Sequence, residues 1–291
     1  MLNDTRTKLK IGKFDVKSLD TGLFALDGGA MFGVIPKNLW SKKYNQGDEF
    51  NRIPLASRPL VITFDDRKIL VDSGNGTKYD EKFVEMYNID IAKSEIRNTL
   101  TQSTGIKSDE ITDVILTHLH FDHCGGSTEI VNGLAQPVFG NAKHYVQKKH
   151  LEWAKSPSVK DRASFMPENY QPLIDENVLE FTDGEGELFS GISVIPIHGH
   201  TSFMQMVKIS DGGETLLYCA DLAPTTAHLG IAYGMGYDNF PLTTIEEKKK
   251  YFTQAAEENW IIFFEHDAFT QAVRIENGPK GFVVKEQVQG F

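Results

Sequence analysis

Thr117-His118-Leu119-His120-Phe121-Asp122-His123-Cys124-Gly125-Gly126 is the stretch on which the reading of this chain turns. Three of the nine histidines fall within it, between positions 118 and 123. The apolar run Val114-Ile115-Leu116 precedes it, so the cluster sits at the C-terminal end of a predicted buried strand, Asp113 to Thr117. On an extended chain, side chains two apart share a side, so His118 and His120 project together. Asp122 and His123 project elsewhere as the chain turns, and Gly125 and Gly126 permit a tight turn into the next element. Imidazole and carboxylate groups held this close are metal-ligand chemistry. Two pairs aimed differently suit two neighbouring ions better than one. A polar turn with solvated histidines is the poorer reading, because an apolar strand leads straight into the cluster.

The remaining ligands must come from other parts of the chain. His144, His150, His198, His200, His228 and His266 are the other histidines. His200, in Gly199-His200-Thr201, follows a predicted strand over Ser193 to Ile197. Asp221 follows another over Thr215 to Cys219, and His266 a third over Ile261 to Phe264. Three strand ends thus each deliver one ligand-type side chain. His198 is a reserve ligand. His144 and His150 flank a lysine-rich segment and are expected at the surface. Cys124 and Cys219 lie beside candidate ligands, but a buried packing thiol is the commoner role.

Elsewhere the pattern predicts strands at Phe14 to Val16, Leu60 to Phe64, Lys68 to Asp72 and Met204 to Ile209. Asp65-Asp66-Arg67 and Asp211-Gly212-Gly213 read as hairpin turns. Helices are predicted from Asp80 to Tyr87 and from Lys93 to Thr101. Thr244 and Glu247 read as a capping box opening a helix that runs to about Asn259. Lys248, Lys249 and Lys250 read as a solvated face of that helix. Strands followed by helices, twice over, predict an α+β fold with two packed sheets and helices outside. No Pro/Ser/Gly linker interrupts the chain, so one domain over residues 1–291 is expected. The segment Met31 to Pro36, with Leu39 and Trp40, is apolar and non-periodic. It reads equally as a loop plugging the core or as the wall of an apolar pocket.

Composition narrows the function. Lys plus Arg is 30 and Asp plus Glu is 40, a formal charge of −10, which argues against a protein that grips phosphate backbones. Two cysteines are too few for a disulfide framework, and a reducing cytoplasm is the simpler setting. The stretch from Met1 to Lys10 has no apolar core of a secretory signal, and Trp260 to Phe264 is far short of a membrane span. The expectation is a cytoplasmic enzyme acting on a small molecule, with neither nucleic acid nor membrane as partner and a homodimer left open.

His118-x-His120-x-Asp122-His123, followed by His200, Asp221 and His266, resembles the metallo-β-lactamase-fold hydrolases across nearly the whole chain. Val71-Asp72-Ser73-Gly74 is similar to that family's early Asp motif. Asp27 to Lys37, Trp40, Ala220-Asp221-Leu222 and Tyr237-Asp238 resemble the YtnP-type quorum-quenching lactonases, and Ala220 to Leu229 resembles methyl parathion hydrolase. The resemblance implies a four-layer αββα sandwich with metals at one edge between the sheets. It implies that His118, His120 and His200 hold one ion, that Asp122, His123 and His266 hold the other, and that Asp221 bridges them with a shared water or hydroxide. Asp122 and Asp221 are then the catalytic carboxylates. Asp72 lies behind the ligands, and His228, Tyr237, Met31, Phe32 and Trp40 lie behind them or against substrate. Two divalent ions are implied, zinc first, with iron, manganese or cobalt also compatible. The implied reaction opens the lactone ring of an N-acyl homoserine lactone, with aryl phosphotriesters or carboxylesters as the alternative. Common β-lactamases have Cys where this chain has Asp221, and diiron relatives have Glu in place of His120. Both departures favour a dinuclear hydrolase over a diiron redox protein.

Overall fold

Two hairpins show how local sequence sets the frame in the computed structural model, which describes residues 9–291. Asp65 and Asp66 connect the strands Leu60–Phe64 and Arg67–Val71, with Phe64 opposite Arg67. Gly212 and Gly213 connect Met204–Asp211 and Glu214–Tyr218, with φ of 60° and 85°. A two-residue type I′ connection requires φ > 0 at both positions, and glycine supplies it without a Cβ clash. The reading of the chain start as lacking a signal core concerns mainly Met1 to Lys8, which lie outside the described residues.

The described residues form two seven-stranded sheets. The first runs Leu9–Ile11, Phe14–Ser18, Leu60–Phe64, Arg67–Val71, Asp113–Ile115, Lys143–Gln147, Leu179–Thr182, and its last four strands are parallel. The second runs Gly186–Phe189, Ile192–Ile197, Met204–Asp211, Glu214–Tyr218, Ile261–Phe263, Ala272–Gly278, Gly281–Gln287. Ile69 and Val71 face the second sheet, whereas Leu70 faces the outer helices. Ile115 likewise faces inward and Val114 outward. A strand covered on both faces must be apolar at every position, which is why these segments read as continuous runs. The helices Ile96–Thr104, Lys148–Lys155 and Gln171–Asp175 bury Leu100, Leu151 and Leu173 on the first sheet. The helix Pro241–Glu257 buries Tyr251, Phe252 and Ala255 on the second. The result is the expected αββα order.

Four local expectations need correction. The helix expected over Lys93 to Thr101 is two helices, Ile91–Ser94 and Ile96–Thr104. They break at Glu95, whose carboxylate caps the second by accepting from the backbone N–H groups of Arg97 and Asn98. The long helix begins at Pro241, three residues before the expected cap at Thr244; proline is favoured in the first turn because it has no N–H to satisfy. Lys248 is not solvated but 1% exposed, its Nζ donating to the carbonyls of His228 and Tyr233 at 3.0 and 2.6 Å. His144 and His150 are fully buried rather than at the surface. The lysines beside them point out, while the histidines fall on the inward-facing positions of a parallel strand and the helix after it.

Candidate metal centre

Each candidate ligand stands just beyond the C-terminal end of a strand, and the two sheets contribute to the same edge. His118 and His120 follow Asp113–Ile115, and Asp122 and His123 lie on the one-turn helix Phe121–Cys124. His200 follows Ile192–Ile197, Asp221 follows Glu214–Tyr218, and His266 follows Ile261–Phe263. The turn after the first cluster is tightly held. A Cβ on Gly125 would lie 1.9 Å from the Asn75 carbonyl oxygen, and one on Gly126 would lie 2.1 Å from that of Ser73. The glycines serve close backbone approach here as much as turning. Ala220 adopts φ of 45°, a left-handed conformation costly for a residue with a Cβ, and it swings Asp221 out of the strand line.

Among the described residues four groups of ligand atoms converge to within 4.8 Å: His118, His120 and His200; Asp122, His123 and His266; His118, His123 and Asp221; and, behind these, Asp72, His123 and Glu265. Asp221 lies between the first two. Its Oδ2 is 3.2 Å from His200 Nε2, while its Oδ1 is 3.4 Å from His266 Nε2 and 3.6 Å from His123 Nε2. Asp122 Oδ2 is 3.6 and 3.8 Å from the same two ring nitrogens.

Hydrogen-bond partners fix the tautomers and thereby test whether metal fits. His266 Nδ1 donates to the Ala56 carbonyl at 2.8 Å, and His123 Nδ1 faces Asp72 Oδ2 at 3.1 Å and Glu265 Oε2 at 2.9 Å. Both Nε2 atoms therefore present lone pairs in the neutral rings, yet they stand 3.0 Å apart. His200 Nδ1 donates to Asp238 Oδ1 at 3.2 Å, and His118 Nδ1 to Thr117 Oγ1 at 3.0 Å. Their Nε2 lone pairs point at His120 Nδ1 from 3.2 and 3.1 Å. Asp221 Oδ1 and His120 Nε2 are buried without a hydrogen-bond partner. Converging lone pairs and an orphaned carboxylate oxygen are unfavourable alone and are the donor set that cations require.

The electrostatics agree at His118, His120 and His266 but not at His123 and His200, which neighbouring carboxylates push up against their burial. Burial, reinforced by neighbouring imidazoles, holds His118 and His120 well below the usual histidine range. Burial also opposes charge on His123, but Glu265, Asp122 and Asp221 push it well above that range. Asp221 is held far below the carboxylate range, against its burial, by His200, His123 and His266.

Behind the ligands lies a supporting layer, only part of which was foreseen. Asp72, as expected, is not at the open side: it accepts from Thr117 N and Oγ1, both at 2.7 Å, and from His123. Four further side chains were missed. Asp238 orients His200. Glu265 is fully buried beside His123 and is pushed up by that burial and by the charge of Asp72. Glu247, read as half of a capping box, instead accepts from the backbone N–H groups of His198 and Gly199 at 2.6 and 3.0 Å. His150 accepts from Leu119 N at 2.9 Å and donates to the Ser202 carbonyl at 2.7 Å, clamping the two ligand loops together. Glu265 adjoins His266, and Asp238 belongs to the Tyr237-Asp238 pair already quoted for the resemblance; those were the available signals. His198 does not join the cluster; its Nδ1 accepts from Phe203 N at 3.3 Å. Cys124 and Cys219 are buried thiols pushed up to about 12 by burial, as their reading as packing groups requires.

A chamber of about 60 Å³ opens over His120, Asp122, His200 and Asp221, walled by Leu26, Met31, Tyr87, Phe121, Met235 and Tyr237. Leu26, Tyr87 and Tyr237 also line an adjoining groove of about 520 Å³. The two readings of the apolar segment therefore divide. Met31 is pocket wall, whereas Phe32 and Trp40 are packing, stacked on each other at 5.1 Å and flanked by His228, whose ring lies 4.7 Å from Phe32. His228 Nε2 donates to the Met31 carbonyl at 2.8 Å and so braces the wall from behind. Among the described residues no helix is long and apolar enough to cross a membrane.

Comparison with known proteins points the same way. The sequence profile of the Metallo-beta-lactamase superfamily matches residues 53–266. An N-acyl homoserine lactonase of Bacillus cereus is 25% identical over 218 residues, covering 71% of this chain and 79% of its own. A crystal structure described as a probable metal-dependent hydrolase from Staphylococcus aureus is similar with a TM-score of 0.85 and 29% identity, covering 96% of this chain and 100% of that one. AidC, described as a dizinc quorum-quenching lactonase, shares the fold with a TM-score of 0.81 and 23% identity, covering 97% of each chain. The chain spans 57% of the length of probable metallo-hydrolases of Mycobacterium tuberculosis and Mycobacterium bovis, at 21% identity.

Proposed function

The chain belongs to the metallo-β-lactamase superfamily, and from that premise we propose that it is a metal-dependent hydrolase that works with two metal ions and opens the lactone ring of N-acyl homoserine lactones. The observation that carries the dinuclear reading is the placement of Asp221, one carboxylate oxygen toward each ligand group. His118, His120 and His200 would hold one ion, Asp122, His123 and His266 the other, with Asp221 between them. Imidazole and carboxylate donors suit zinc, which we propose as the metal. When bound, two such ions lower the pKa of water and polarise a carbonyl oxygen.

The chain's own residues do the rest. His266, His123, His200 and His118 each have one ring nitrogen tied to a hydrogen-bond partner, so each ring is preorganised before metal or substrate arrives. Asp122, at the open side of the chamber, is placed to accept the proton of the attacking water and return it to the leaving alkoxide. Met31, Leu26, Phe121 and Met235 exclude bulk water, and Tyr237 presents a phenol at the mouth for the substrate carbonyl. The lactone choice draws on the Bacillus relative's name and on the groove beside the chamber, where Leu26, Phe50, Met86 and Tyr87 stand among Asp27, Arg52, Lys82 and Glu85 and which has room for an acyl chain.

The test compares kcat/KM of the metal-loaded protein on N-hexanoyl homoserine lactone, an aryl phosphotriester, an aryl carboxylester and a β-lactam. The lactone is expected to lead. A phosphotriester or carboxylester in first place would move the substrate class while leaving the centre intact, and a β-lactam in first place would overturn the substrate assignment.

A further inference from the structure

One short segment of the chamber wall reaches both loops of a single ligand group. Lys160, Asp161 and Ser164 line the chamber beside His120 and His200. At the end of this segment Phe165 pairs with His120 as an antiparallel bridge, and the two rings meet edge to face at 4.6 Å.

The hold on His200 runs through Asp161, which is buried. Its Oδ2 accepts from Trp153 Nε1 at 2.9 Å, Asn239 Nδ2 at 2.7 Å and Thr201 Oγ1 at 3.3 Å, and its Oδ1 accepts from Ser158 Oγ at 2.8 Å. Burial opposes its charge, but the bonds from Trp153, Ser158 and Asn239 hold it below the usual carboxylate range. The second N–H of the Asn239 amide donates to the His200 carbonyl at 3.0 Å, as does Asn239 N. Thr201 directly follows His200, so both links end on the turn that presents that imidazole. Lys160 Nζ adds a bond to the carbonyl of Asp238, whose carboxylate orients the His200 ring. Among the described residues no hydrogen bond of residues 158–165 reaches Asp122, His123 or His266.

A loop that presents an imidazole depends on the groups that order its backbone, because displacing the ring weakens its bond to the ion. We propose that Asp161 is a positioning residue for the ion of His118, His120 and His200 alone. It acts on His200 through Asn239 and Thr201, from a wall segment that braces His120 as well. The inference rests on the two-ion reading of the centre and goes beyond it, since it makes the two ion sites separately tunable. The same segment lines the chamber, so one carboxylate sets both the wall a substrate meets and the ligand loop beside it. Asp161 takes no part in bond cleavage.

Zinc titrations against a chromophoric chelator read the two affinities with no substrate present, so the choice of substrate does not enter. Asp161→Ala is expected to weaken one of the two zinc ions about tenfold and to leave the other unchanged. Asp161→Asn should return that affinity to within about threefold of wild type, because its Oδ1 can face the three donors while its amide donates to Ser158 Oγ. Asn239→Ala should weaken the same ion about tenfold, and adding Asp161→Ala to it should weaken that ion no further. In His200→Ala, which cripples that site directly, Asp161→Ala should leave the remaining ion's affinity unchanged. Equal weakening of both ions, additive losses with Asn239→Ala, or no rescue by Asp161→Asn overturns the proposal. Should Asp161→Ala not fold, Asn239→Ala and Thr201→Val carry the same comparison with and without His200→Ala. A wild type that binds a single ion fails the two-ion reading, and the response of that ion to Asp161→Ala still decides the role of Asp161.

Discussion

Asp221→Asn is the substitution that most directly tests the centre. It keeps the side chain's shape and one oxygen while removing one negative charge and replacing the other oxygen with an amide nitrogen, which cannot ligate. In the structure the two oxygens face opposite ligand groups, 3.2 Å from His200 Nε2 on one side and 3.4 Å from His266 Nε2 on the other. Whichever way the amide turns, one group loses a donor and both lose charge neutralisation. Loss of a strongly placed electrostatic partner corresponds to at least about a hundredfold in kcat/KM, roughly 2.7 kcal/mol. In the metal-free protein the Asp221 carboxylate is the counter-charge of His200, His123 and His266, so Asp221→Asn should lower the melting midpoint in chelator, while elemental analysis after dialysis gives fewer than two ions per chain. Cys219→Ser is the matched control. Cys219 Sγ faces the carbonyls of Ala223 and Phe263 at 3.4 and 3.3 Å, bonds a hydroxyl can keep, so metal content and most activity should survive. Two retained ions and activity within tenfold of wild type for Asp221→Asn would refute the bridging role, as would an essential Cys219.

Other consequences are simpler to check. Removing metal leaves the crowded lone pairs uncompensated, so a strong chelator should abolish hydrolysis and lower the melting midpoint by about 10 °C, the size expected when a ligand at a thousand times its Kd is withdrawn; an unchanged midpoint would contradict the fit argued here. His150→Phe strands the buried Leu119 N–H, at a cost of about 1–3 kcal/mol in unfolding free energy, and should weaken metal binding in titrations although His150 holds no metal. His144 is buried and held down to about 4 by that burial. Its folded pKa lies below the unfolded value, so the stability it permits is complete above about pH 6.5 and is lost as pH falls toward 4. His144→Leu should remove about 2–3 kcal/mol of the acid loss between pH 7 and 4.5 in metal-free denaturant titrations, and an identical acid slope would refute it.

What the sequence made legible was chemistry concentrated at strand ends. His118 to His123 announce themselves by density, and His200, Asp221 and His266 by each following an apolar run. The apolar runs were legible because a strand covered on both faces cannot alternate, as Leu70 between Ile69 and Val71 shows. The supporting layer was not legible, because its members act across long separations in the chain. His150 reaches Leu119 across 31 positions, and Glu247 reaches His198 across 49. Nothing local distinguishes Lys248 from the exposed Lys249 and Lys250 beside it; only the helix phase fixed by packing does. Glu247 was visible as a polar residue in a plausible cap, and its carboxylate does bond backbone N–H groups, though those of another loop.

The same supporting layer explains how a rigid centre is built from loops. Two of the loops that deliver candidate ligands are tied by polar groups from elsewhere: His150 joins the His118–His120 loop to Ser202, Glu247 holds the backbone just before His200, and Asp238 and Asn239 hold His200 itself. Lys248, from the same helix as Glu247, fastens the His228 and Tyr233 carbonyls and thereby the stretch that carries Met235, Tyr237 and Asp238. One helix thus fixes both a metal-ligand loop and a chamber wall through adjacent residues of opposite charge. Each such group is expensive to bury and stable only while its partners are in place. Disturbing Glu247 or Lys248 should therefore damage geometry at the centre while leaving all seven candidate ligands untouched. Residues remote from the chemistry can then govern the activity through the placement of His200 and the shape of the wall.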